Sequence, residues 1–291
     1  MNWLKYLLAA LLPAFAVPAV AALNIFACEP EWGALAKELA GDKASIYVAT
    51  TALQDPHRIE ARPSLIARAR SADLVVCTGA ELEIGWMPLV QTQSANPKIQ
   101  AGQPGYFEAA RQLTLMDIPQ RVDRALGDVH AAGNPHVHLD PANIARVGAA
   151  LAERMAQLDP PEAEQYRART RAFLDRWQQA TARWEKAGVA LKGMPVVVYH
   201  KDMSYLVRWL GLREVGALEP KPGLPPTAAH LSLLLEGLAR NPAKMVVRPA
   251  YSDPRAAEYI SRILIERRDK LVLRWLGPIV PKVPAPRIAG R

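Results

Sequence analysis

Short apolar runs separated by segments of helical period make up the chain from Leu23 onward. Leu23 to Cys28, Ser45 to Ala49 and Leu74 to Cys77 read as strands, because each is brief, apolar and bounded by polar residues. Between them, Trp32 to Leu39 and Ser64 to Ala69 carry a helical pattern, the second opened by Pro63-Ser64, residues suited to a first turn and its cap. From Asn96 to Gly133 the pattern weakens; Gly102, Pro104, Gly105, Pro119 and Gly127 predict loops and short strands. Asp140-Pro141-Ala142-Asn143 then opens an amphipathic helix running to about Leu158, and Pro160-Pro161 breaks it. A second helix is predicted from Glu162 to Lys186, with Phe173, Leu174, Trp177, Ala180 and Trp184 at helical spacing.

The second half repeats the alternation. Strands are expected at Met194 to Tyr199, Val215 to Leu218, Lys244 to Arg248 and Lys270 to Val272. Helices are expected at Ser204 to Leu210, Thr227 to Arg240 and Asp253 to Arg267, and the Pro-rich stretch from Gly277 should be extended. Strands interleaved with helices imply parallel sheets covered on both faces. The predicted architecture is α/β: two lobes, 23–158 and 193–291, each a mostly parallel sheet flanked by helices. A long rigid helix within 159–192 joins them.

The first 22 residues add a compartment. Lys5 precedes an apolar run from Tyr6 to Val20, and Ala19 and Ala21 stand where a signal peptidase would cut. A signal peptide over 1–22 and a periplasmic mature protein are expected; an uncleaved anchor is the alternative, for which the run is short. The formal charge is +8, yet arginines such as Arg62, Arg68, Arg70, Arg167, Arg169 and Arg171 are scattered along helices without interleaved stacking aromatics. That argues for a solvated basic surface and against a nucleic-acid partner. Cys28 and Cys77 each end a predicted strand. In an oxidising compartment they form a disulfide if the strands are neighbours, and otherwise are two small buried residues. Neither has the spacing of a thiolate metal site.

Three of the six histidines fall in Asp55-Pro56-His57, Asn134-Pro135-His136 and Val198-Tyr199-His200, at strand ends or turns. Proline keeps the residue before it extended, which aims the following histidine outward. In open α/β sheets that edge faces the ligand crevice. Imidazole is the commonest metal ligand at neutral pH. Asp253, after the strand at Val246-Val247, is the candidate fourth ligand. Three nitrogens and one oxygen suit Zn²⁺, whereas Mn²⁺ favours more oxygen and Cu(I) favours sulfur. Four protein ligands leave no position for a catalytic water, so binding, and not an enzyme, is expected. Each residue also has a plain structural reading. The histidines can serve as turn or core residues, and Asp253 before Pro254 is a good helix cap. Glu60 and Glu83 could hold a ligand's second nitrogen or be surface acids; Trp86, Tyr199 and His230 read as structural. A secreted zinc hydrolase is a rival from another class, although no HExxH motif is present. A carrier of an organic chelate or corrinoid, with incidental histidines, is another.

Taken in order, these segments resemble the periplasmic metal-binding proteins of zinc and manganese ABC importers, the cluster A-I solute-binding family. The resemblance spans nearly the whole mature chain. It rests on Asp55-Pro56-His57 with Pro63-Ser64, and on Ala72-Asp73-Leu74-Val75-Val76 leading to Thr78-Gly79-Ala80-Glu81-Leu82-Glu83. It continues through Pro135-His136-Val137-His138-Leu139-Asp140-Pro141 and Tyr199-His200 before Trp209-Leu210-Gly211-Leu212. The resemblance implies His57, His136, His200 and Asp253 as metal ligands. It also implies two α/β lobes bridged by a helix, an ABC permease as partner and a monomer. Manganese-type members usually carry glutamate where His200 stands, which favours zinc; a manganese or iron carrier on the same frame is the alternative. The long His- and acid-rich loop of many zinc-type members is reduced here to Asp128, His130 and a few neighbours. His130 and His138 are either an accessory shell or ordinary turn histidines. His138 stands where the family usually has an aromatic residue, and Arg248 where it often has an acid.

Overall fold

Parallel pairing needs a crossover between successive strands, and the first half supplies one each time. In the computed structural model, which describes residues 22–121 and 127–276, β1 (Leu23–Ala27), β2 (Ala44–Val48), β3 (Leu74–Cys77) and β4 (Tyr106–Glu108) form a parallel sheet in the order β2-β1-β3-β4. Helices α1 (Pro30–Ala40), α2 (Pro63–Arg70) and α3 (Met87–Ser94) make the crossovers. Side chains alternate across each strand. Ile25, Ala27, Leu74 and Val76 therefore pack on one face against Trp32, Leu39 and Val147. Phe26, Cys28, Val75 and Cys77 pack on the other against Leu65, Trp86 and Val90. Because β1 pairs with β3 at Ala27↔Val76, the next residues, Cys28 and Cys77, are neighbours. Their Cα atoms are 4.8 Å apart and the sulfurs are bonded, which decides between the two readings of these cysteines. The expected signal peptide lies outside the described residues, as does the Pro-rich tail.

Helix α4 (Pro141–Leu158) starts where Asp140 accepts a hydrogen bond from the Ala142 amide, and it buries Val147, Leu151 and Met155. Helix α5 (Ala163–Gly188) is about 39 Å long at 1.5 Å per residue. Its first half is fixed to the first sheet's helices. Tyr166 and Phe173 are buried there, Arg169 donates to the Glu38 carbonyl, and Trp177 donates to the Pro141 carbonyl. Its far end reaches α6 (Ser204–Leu210), with Gly188 against Leu210.

The second sheet comprises β5 (Pro195–Val198), β6 (Arg213–Ala217) and β7 (Met245–Val247), parallel and ordered β6-β5-β7. Helices α7 (Ala228–Arg240) and α8 (Pro254–Leu276) flank it. One expectation fails here. Lys270 to Val272 is not a strand but part of α8, since no Gly or Pro between Arg255 and Leu276 ends the helix. The halves are stitched together by Tyr205 of α6. It is fully buried, donates to the Asn134 carbonyl at 2.8 Å and accepts from the Met116 amide at 3.0 Å.

Candidate metal centre

Two of the three histidines are set by the same local device. Asp55 Oδ1 accepts from the His57 amide at 3.0 Å and stands 2.8 Å from its Nδ1. Asn134 Oδ1 accepts from the His136 amide at 3.0 Å and stands 2.9 Å from its Nδ1. In each Asx-Pro-His turn, the side-chain oxygen two residues earlier fixes both backbone and ring. The Asn134 orientation follows from its amide nitrogen, which donates to Asp117 Oδ2 and to the Lys201 carbonyl. His200 is held across the sheet instead. It follows β5, and its Nδ1 lies 2.6 Å from Glu219 Oε2, just beyond the paired strand β6. Trp86, buried, supports the first turn by donating to the Pro56 carbonyl at 3.0 Å.

A carboxylate or an amide oxygen can only accept, so each Nδ1 carries the proton and each Nε2 keeps its lone pair. One ring nitrogen from each of His57, His136 and His200 lies within 4.8 Å of the other two. The ring centroids are 5.5, 5.6 and 6.0 Å apart. Three imidazoles radiating from one tetrahedral ion would put centroids roughly 5 Å apart, given metal–nitrogen distances of about 2 Å. The observed centroid spacings exceed this by about 0.5 to 1 Å. His136 and His200 are buried, and His136 Nε2 has no hydrogen-bond partner. A buried, unsatisfied nitrogen facing two others is costly unless a cation meets it.

The electrostatics separate the rings. Burial, then the charges of His57 and His200, holds His136 well below the usual imidazole range. Burial also pulls on His200, but its hydrogen bond to Glu219 and the nearby Asp202, Glu219 and Asp55 charges outweigh this and raise its pKa. Asp55 is lowered, because the hydrogen bond and charge of His57 overcome the effect of burial.

The other candidates are placed as follows. Asp253 is not brought into the cluster. It caps α8, accepting from the Arg255 amide at 2.9 Å, and the Arg255 guanidinium grips its carboxylate. That pairing lowers its pKa to about 2. His130 lies beside the cluster, its ring stacked on His57 and its Nε2 3.3 Å from His57 Nε2. His138 Nδ1 lies 3.2 Å from Glu31 Oε1, on the other side of His136. His230 Nε2 lies 2.9 Å from the Ala217 carbonyl, and Tyr199 is buried in the second core. Glu83 touches none of the three rings. It is buried and accepts from the Thr78 and Gly79 amides, which clamps the turn after β3. Glu60 is exposed. Sequence reading missed Asp55, Asn134 and Glu219 as partners of the rings. Asn134 carried a signal, the repeated Asx-Pro-His; Glu219 carried none beyond an acid after a strand.

The sequence profile of the ZnuA family, zinc-uptake complex component A periplasmic, matches residues 25–281. The high-affinity zinc uptake system protein ZnuA of Paracoccus denitrificans (strain Pd 1222) is 25% identical over 282 residues, covering 85% of this chain and 82% of that protein. The zinc-binding lipoprotein AdcA of Streptococcus pneumoniae R6 is 22% identical over 209 residues, 70% of this chain but 40% of that longer protein. A crystal structure of ZnuA superposes with a TM-score of 0.70 at 22% identity, covering 84% of this chain and 88% of that one. Three converging histidines, two parallel sheets spanned by a long helix and a profile match over most of the chain agree. The chain belongs to the ZnuA family of cluster A-I solute-binding proteins.

Proposed function

We propose that this protein binds one Zn²⁺ through His57, His136 and His200 and delivers it to the permease of an ABC importer. In this reading the chain is exported, a signal peptide over 1–22 is removed, and a monomer works in the periplasm as a carrier and not an enzyme. The lobes 23–158 and 193–291 face one another across the ion, and 159–192 is the stiff connector. The single observation that carries the reading is three imidazole nitrogens within 4.8 Å, each ring oriented by an oxygen acceptor. Nitrogen donors favour zinc over manganese. Asp55, Asn134 and Glu219 are engaged in holding the rings, which supports carriage over turnover. Asp253 would reach the ion only by giving up Arg255 and its cap on α8.

Metal analysis of protein purified from the periplasm without added zinc, followed by calorimetric titration, tests this. One Zn²⁺ per chain is expected, with Mn²⁺ unable to displace it at equal concentration. His136→Ala should abolish stoichiometric binding. Wild-type protein that takes up no zinc, or a His136→Ala variant that binds normally, would overturn the reading.

A further inference from the structure

We propose that His130 is the fourth ligand of the captured ion, making the site four nitrogens and setting its preference for zinc. This rests on the three-histidine reading above and adds a donor to it. The separation of His57 Nε2 and His130 Nε2 is 3.3 Å. Two nitrogens on one tetrahedral zinc, each about 2.05 Å from the metal, stand about 3.3 Å apart. Asp55 fixes the His57 proton on Nδ1, so a bare lone pair faces His130. Without an ion, His130 presents its N–H to that lone pair. With an ion, the proton leaves Nε2 for solvent, another is taken up at Nδ1, and Nε2 joins the metal. His130 also borders the same cavity as His136 and His200, so a short inward swing carries its ring to the ion.

The segment bearing His130 is tied to both halves of the molecule. The Asp128 amide donates to the Pro222 carbonyl at 2.8 Å, and the Ala131 amide donates to Glu81 Oε2 at 2.8 Å. Gly127 has φ +84°, and a Cβ there would lie 2.2 Å from the Pro222 carbonyl oxygen. Only glycine permits that approach. The segment is thereby anchored against the second lobe on one side of His130 and against the first on the other.

Charge does not require a carboxylate ligand. Asp55 and Glu219, behind His57 and His200, place two negative charges next to the ion without coordinating it. Four neutral imidazoles around Zn²⁺ are then balanced by these acids, and Asp253 can stay with Arg255. Asp202 is the competing donor, being buried with an unpartnered Oδ1.

The test uses full-length mature protein loaded with Zn²⁺ for X-ray absorption and with Co²⁺ for visible spectra. Four imidazoles per zinc are expected in wild type and three in His130→Ala, with a ten- to hundredfold loss of zinc affinity. His130→Asp should raise Mn²⁺ affinity relative to Zn²⁺. Asp253→Asn should leave the coordination and affinity unchanged, and Asp202→Asn should leave the four-imidazole coordination unchanged. If His130→Ala keeps wild-type spectra and affinity, or an Asp202→Asn or Asp253→Asn variant loses a ligand, the proposal is overturned. His136→Ala distinguishes this from failure of the parent reading. Lost binding there with no effect at His130 leaves the three-histidine site intact.

Discussion

Replacing Glu219 with alanine should weaken zinc binding without removing a ligand. The carboxylate lies 2.6 Å from His200 Nδ1 and accepts from the Gly223 amide at 2.8 Å, with both the acid and the imidazole nearly buried. Without it, His200 loses the acceptor that fixes its tautomer and ring angle. Its Nε2 also becomes a poorer donor to the metal. Loss of such an orienting partner typically costs ten- to a hundredfold in metal affinity, about 1.4 to 2.8 kcal/mol. A second effect runs against the first. Glu219 helps to raise the His200 pKa, so its removal also weakens proton binding there. A proton and the metal compete for the same imidazole. The penalty should therefore be largest near pH 8 and shrink toward pH 6, where the wild type pays more to shed its proton. Competition against a chromogenic chelator across that range, with a thermal melt at each pH to confirm folding, measures both effects. A folded Glu219→Ala protein with wild-type affinity at pH 8, or a penalty that grows on acidification, would refute the reasoning.

Three further outcomes are expected. Zinc affinity should fall on acidification, and earlier than for an ordinary imidazole site because the His200 pKa is raised, losing about tenfold per pH unit for each proton displaced; chelator competition at several pH values follows this. His136, held low, should remain neutral throughout that range and contribute no early loss. Reducing the Cys28–Cys77 bond, or making the Cys28→Ser, Cys77→Ser double variant, should lower stability to urea by about 4 kcal/mol; the bond spans 49 residues, and unchanged unfolding curves would contradict this loop-closure argument. Leu151→Ala, fully buried in α4 against the first sheet, should cost about 2 to 5 kcal/mol in the same assay while a folded sample still binds one zinc.

Features encoded in neighbouring residues were readable before any coordinates. Short apolar runs and helical periodicity placed most strands and helices, including Ser204–Leu210 and the long helix, predicted to Lys186 and observed to Gly188. The Asx-Pro-His turns at 57 and 136 were legible as a repeated motif, and the oxygen that holds each ring sits two residues before it. Partners far apart along the chain came together only in the folded molecule. Glu219 stands 19 residues from His200 and meets it only because β6 pairs with β5. His130 meets His57 across 73 residues, and Cys28 meets Cys77 because β1 and β3 are adjacent. Asp253 stands outside the three-histidine cluster for a local reason: Arg255, two residues on, holds its carboxylate. Local hydrogen bonds and periodicity are written in the order of residues, whereas convergence depends on how strands are ordered in a sheet, and one chain's spacing does not carry that order.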